Sequence, residues 1–61
     1  MIEHIHLGEH YYGNVYFLNK NGHYTLEIED VSNPSSLEIS ESMYKSAKTY
    51  LPQLVFDGEP E

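Results

Sequence analysis

The dipeptide Asn21-Gly22 sits between two runs, Tyr11 to Leu18 and His23 to Asp30, that are rich in aromatic and β-branched residues. A type I′ turn needs positive φ at both central positions, and Asn-Gly tolerates them best, so this arrangement specifies an antiparallel hairpin. The loop can be read as two residues or as the four residues Asn19-Lys20-Asn21-Gly22. Either way, Val15 and Phe17 fall on one face with Tyr24, Leu26 and Ile28, and this is the expected core face. The opposite face carries Tyr12, Asn14, Tyr16 and Leu18 beside Thr25, Glu27 and Glu29, which is too aromatic for ordinary solvent-facing surface.

The remaining elements arrange themselves around that hairpin. Met1 to Leu7 alternates, with Glu3, Ile5 and Leu7 on one side and Ile2, His4 and His6 on the other, as a half-buried strand does. Gly8 and Glu9 then mark a break or bulge. Ser32-Asn33-Pro34-Ser35-Ser36 reads as a loop, and Leu37-Glu38-Ile39 as a brief extended piece. Ser40 has the position of a helix N-cap, with Ile39 and Tyr44 at hydrophobic-staple spacing. Met43, Ala47 and Leu51 form one stripe, flanked by Tyr44 and Tyr50, and Glu41 and Lys45 make an i,i+4 pair. Pro52 ends the helix, and Gln53 to Phe56 reads as a last short strand. The expected fold is α+β: a small antiparallel sheet in the order β-β-β-α-β with one helix packed on one face. Residues 1–56 form the expected single compact domain, and residues 57–61 an acidic flexible tail.

Sixty-one residues hold one domain with a marginal core, and such domains usually add a disulfide, a metal or a partner subunit. No cysteine is present, so disulfides and thiolate ligands are excluded, and self-association (a dimer) is the expected support. The lack of cysteine fits a reducing compartment, and no apolar leader or membrane-spanning run is visible, so a cytoplasmic protein is expected. Ten carboxylates stand against three lysines and no arginine, a net charge of −7. Such a surface repels a phosphate backbone, which argues against direct nucleic-acid binding and for a larger protein with a basic surface.

Catalytic and cofactor motifs are missing. The four glycines (8, 13, 22 and 58) are isolated, so there is no phosphate-binding loop, and the serines suit loops, a cap and a helix surface. No enzymatic activity and no cofactor are expected. His4 and His6 would point to one side of a strand with His10 nearby, a pattern able to ligate a transition metal. No second ligand cluster accompanies it, so no metal site is assigned.

The constellation with most content is the Tyr/Glu face: Tyr12, Tyr16, Leu18, Glu27 and Glu29. Aromatics supply binding energy at interfaces, and carboxylates select a basic partner and speed encounter. The expected function is therefore that of a small acidic binding protein that inhibits or modulates a larger one. In general character it matches phage-type inhibitors that occupy a nucleic-acid-binding groove by DNA mimicry, such as anti-CRISPR, other anti-defence or uracil-DNA glycosylase inhibitor proteins, although no motif ties it to them. Two alternatives follow from the same residues. One is a homo-oligomer sequestering a nucleotide-like ligand at a subunit interface, and the other is a structural homodimer.

Overall fold

The computed structural model describes residues 1–60. Its elements run β1 (Ile2–His10), β2 (Gly13–Lys20), β3 (His23–Ile28), β4 (Ser35–Glu38), α1 (Glu41–Tyr50), a 3-10 turn (Pro52–Leu54) and β5 (Val55–Asp57). The strands form one antiparallel sheet in the order β4-β3-β2-β1-β5. The two edge strands, β4 and β5, are consecutive along the chain, and α1 spans the sheet between them.

The Asn21-Gly22 hairpin forms with a two-residue loop. Lys20 pairs with His23, and Asn21 and Gly22 take φ of 56° and 87°. The register puts Phe17 opposite Leu26 and Val15 opposite Ile28 on one face, with Tyr16 opposite Glu27 and Leu18 opposite Thr25 on the other. The extended piece near Leu37 is a full edge strand, so the sheet has five strands. In β1 the bulge falls at Leu7, between His6 and Gly8, and the strand stays paired as far as His10. Tyr11 and Tyr12 are consequently a turn, and β2 starts at Gly13. The chain also stays in the sheet beyond Phe56: Asp57 ends β5, and the Gly58 N–H donates to the Ile2 carbonyl at 2.7 Å. Asp57 and Gly58 therefore belong to the folded domain, not to a tail, and Glu61 lies outside the described residues.

Ser40 caps α1 by accepting the Met43 N–H at 3.1 Å, and Lys45 pairs with Glu41 at 2.6 Å. The helix packs around Tyr44, which is 1% exposed and tilted against Tyr24 with ring centroids 5.1 Å apart. Met43 and Tyr50 are exposed, so the buried stripe is rotated from the expected Met43-Ala47-Leu51 line. The rotation has a polar cause. Glu3 points from β1 toward the helix and is buried, and its Oε1 accepts the Tyr44 hydroxyl at 2.9 Å and the Lys48 Nζ at 2.9 Å. A buried carboxylate needs such partners, and this helix rotation presents both. Burial alone would raise the Glu3 carboxyl, but the hydrogen bonds from Lys48 and Tyr44 and the lysine charge outweigh it and hold it below its usual value. Burial, then the bond to Glu3, pushes the Tyr44 phenol far upward.

The helix covers the face expected to hold the core, yet burial in the sheet is shared between both faces. On the helix side Glu3 and Ile5 are buried, Val15, Phe17, Tyr24 and Leu26 are half-buried and Ile28 is exposed, whereas His4, Tyr16, Leu18 and Thr25, all on the face away from the helix, are buried. His4 explains part of this. It stacks on Phe56 (5.5 Å), meets Tyr16 edge-on (5.8 Å), and its Nδ1–H donates to the Gly58 carbonyl at 2.8 Å. Phe56 and Gly58, at the end of β5, thus cover His4 on this face.

These contacts lead to three predictions. A Cβ at Gly13 would lie 2.7 Å from the Glu29 Cβ and 2.9 Å from its carbonyl oxygen, whereas one at Gly8 meets nothing within 4 Å. Urea denaturation should show Gly13→Ala destabilised by about 1–3 kcal/mol and Gly8→Ala no less stable than the parent. Tyr44→Phe removes one donor to a buried carboxylate and should cost about 1.5–3 kcal/mol in the same assay. Folded Glu3 holds its proton less readily than unfolded Glu3, so its stabilisation is complete above the unfolded value of roughly 4.3 and is lost as pH falls through the lower folded value. Glu3→Gln should therefore flatten the acid limb of the stability–pH curve, and an unchanged limb would refute that role.

Candidate functional site at the loop end of the sheet

The bulge at Leu7 and the two-residue turn after His10 bring Tyr11 and Tyr12 to one end of the sheet, where the β3–β4 loop also lies. Three hydrogen bonds fasten the two segments together. Glu29 N–H donates to the Asn14 carbonyl at 2.8 Å, Asn14 N–H donates to Glu29 Oε1 at 3.1 Å, and His10 Nε2 donates to the Glu29 carbonyl at 2.7 Å. His10 Nδ1 in turn accepts the Tyr12 N–H at 3.3 Å, so the proton of the neutral ring sits on Nε2. Gly13 permits the close approach, since any side chain there would strike Glu29.

The loop beyond Glu29 is held by its own polar groups. Ser32 donates both its backbone N–H and its hydroxyl to Asp30 Oδ1, each at 2.9 Å, and these bonds hold the Asp30 carboxyl below its usual value. Asp30 therefore keeps its charge through the neutral range. Tyr12, Glu29, Asp30, Val31 and Pro34 line an open cleft of about 370 Å³. Tyr11 meets the cleft residue Tyr12 edge-on, and Tyr11 is 93% exposed, Val31 84% and Tyr12 51%. The result is a rigidly tied cluster of apolar and aromatic surface bordered by carboxylates.

The five residues expected to share a binding face are divided by the fold. Tyr12 leaves the strand for the turn and Glu29 supports the cleft, so both belong to the loop end. Tyr16 and Leu18 are each 7% exposed and leave a partner almost nothing to touch. Burial first, then the charges of Glu29, Glu27 and Glu59, push the Tyr16 phenol up, so it stays neutral. Glu27 is half-buried and accepts the Ser36 hydroxyl. Sequence reasoning missed Tyr11, Asp30 and Val31. The legible signal for them was the contrast between two adjacent tyrosines after a glycine-marked bulge and the short acidic loop leading to Pro34.

His4 and half-buried His6 share one face of β1, as expected, but His4 is buried among aromatics, His10 clamps the loops, and exposed His23 lies 3.7 Å from Glu38. Among the described residues no group of three His, Cys, Asp or Glu side chains is placed to hold a metal ion, and no helix is long and apolar enough to cross a membrane. Comparison with protein-family models, curated proteins and solved structures finds no match to this chain.

Proposed function

We propose that this protein binds a larger, basic-surfaced protein through the loop end of its sheet and thereby inhibits or modulates it. The observation that carries the reading is the cleft edge, where exposed Tyr11, Tyr12 and Val31 sit beside the carboxylates of Glu29 and Asp30. Aromatic rings there can lie against the stems and heads of lysine or arginine side chains, with a carboxylate close enough to accept their hydrogen bonds. Because hydrogen bonds within the chain already fix both loops, little ordering entropy opposes docking.

The balance of charge supports the same choice of partner. Of three lysines, Lys45 is paired with Glu41 and Lys48 with Glu3, which leaves the protein's outer field strongly negative. A field of this sign accelerates encounter with a basic surface, including a groove that ordinarily receives nucleic acid, and opposes a phosphate-bearing ligand in a cleft lined by Glu29 and Asp30.

A tagged pull-down from bacterial lysate, washed at low and high salt and read by mass spectrometry, tests this reading. One abundant basic protein should be retained at low salt, released at high salt, and lost from the double variant Tyr11→Ala/Tyr12→Ala. Capture that ignores both salt and the tyrosines would sink the proposal, as would an empty pull-down from correctly folded protein.

A further inference from the structure

The sheet has a free edge at β4. All four residues of β4 are exposed, and Leu37 is 64% exposed on the helix-side face beside Leu26. The direction of each backbone group follows from the pairing. Ile39 N–H donates to the Tyr24 carbonyl, and antiparallel hydrogen-bonded pairs alternate, so Ser35, Leu37 and Ile39 turn their N–H and C=O toward β3. Ser36 and Glu38 therefore turn theirs outward, along an edge that no strand of the described residues borders. Pro34 has no N–H and limits the edge on one side, and Ser40 leaves it on the other to cap α1.

We infer that a second copy of this chain pairs antiparallel along β4, in the register that sets Leu37 against the partner's Leu37. Two requirements select that register. A two-fold axis perpendicular to the sheet keeps like faces together, and the outward groups of Ser36 must meet those of the partner's Glu38. Their reciprocal pairing gives four backbone hydrogen bonds without involving Pro34. The two Leu37 side chains then meet at a non-hydrogen-bonded pair, where side chains approach most closely. The row of half-buried Phe17 and Leu26 and exposed Leu37 continues into the same row of the partner. Charge agrees with the register: Glu38, the one carboxylate on β4, lies opposite the partner's Ser36 and not opposite its twin.

This pairing is independent of the loop-end reading, and salt separates the two. Docking to a basic surface weakens as salt rises, whereas two chains of net charge −7 repel less and pair more readily. Four bonds and one leucine pair make a small contact, in the class of weak complexes below about 1,200 Å². The dimer therefore builds up with concentration.

Single cysteines test the register, because the chain has none of its own. Leu37→Cys places two Cα atoms about 4.5 Å apart, within disulfide range, so mild oxidation should double its mass. Ser36→Cys sets its sulfurs two residues out of step, with Cα atoms roughly 8 Å apart, and should stay monomeric. Sedimentation of the cysteine-free protein up to about 1 mM should show a dimer that strengthens with salt, spanning the affinities such a contact can reach. Ser36→Pro removes an outward donor without touching the β3–β4 ladder, and it should sediment as a monomer with its circular dichroism unchanged. Three results would overturn the inference: a monomer throughout the series, a dimer that survives Ser36→Pro, or equal cross-linking at positions 36 and 37.

Discussion

The carboxylate of Glu3 is the point on which the structure turns. It is carried by a central strand, faces the helix, and is satisfied by Tyr44 and Lys48 from successive turns of α1. Breaking such a set leaves a buried charge without compensation, so it constrains more strongly than an apolar contact of similar area. It is also directional. A leucine in place of Glu3 would accept several helix rotations, whereas a carboxylate that needs one phenol and one ammonium accepts few. Because α1, with the 3-10 turn after it, connects the two edge strands, fixing its rotation also constrains where β4 and β5 close the sheet.

With the helix committed to Glu3, the opposite face must be closed by other means. His4 does so by combining three roles in one side chain: it stacks on Phe56, meets the edge of Tyr16 and donates to Gly58. Both faces of a five-stranded sheet thereby contribute to the core of a 61-residue chain. The cost is that the half of the helix-side face nearest β4 stays partly open, at Ile28 and Leu37. The loop end, meanwhile, gains its rigidity from hydrogen bonds centred on Glu29 and not from apolar burial.

The local features of this fold are legible in its residues. Asn21-Gly22, the Ser40 cap, the Glu41–Lys45 pair and the facing of Val15 and Phe17 with Leu26 and Ile28 all depend on neighbours close in sequence, and the structure contains each of them. What depends on distant pairing is not legible. Counting alternation puts Glu3 on the same face as Ile5, but nothing local says that Tyr44 and Lys48, some forty residues later, will allow a carboxylate to be buried there. The same reason hides the burial of Tyr16 and Leu18, which requires His4 and the residues after Phe56 to arrive on their face. The binding surface shows the same division. Acidity and aromatic content announce it, while the bulge at Leu7 decides that Tyr11 and Tyr12 occupy a turn instead of a strand.

The bond from Gly58 to Ile2 joins two residues that are far apart in the chain and adjacent in space. β1 and β5 run antiparallel as neighbours, so the described chain enters and leaves the domain at one place, on the side of the sheet remote from β4. A short peptide could bridge residues 2 and 58 without moving a strand, and the closed ring could be reopened in the Asn21-Gly22 turn. By the same geometry the whole unit could be spliced into a surface loop of another protein as a plug-in module. Its acidic loop end and its open edge would remain clear of the host.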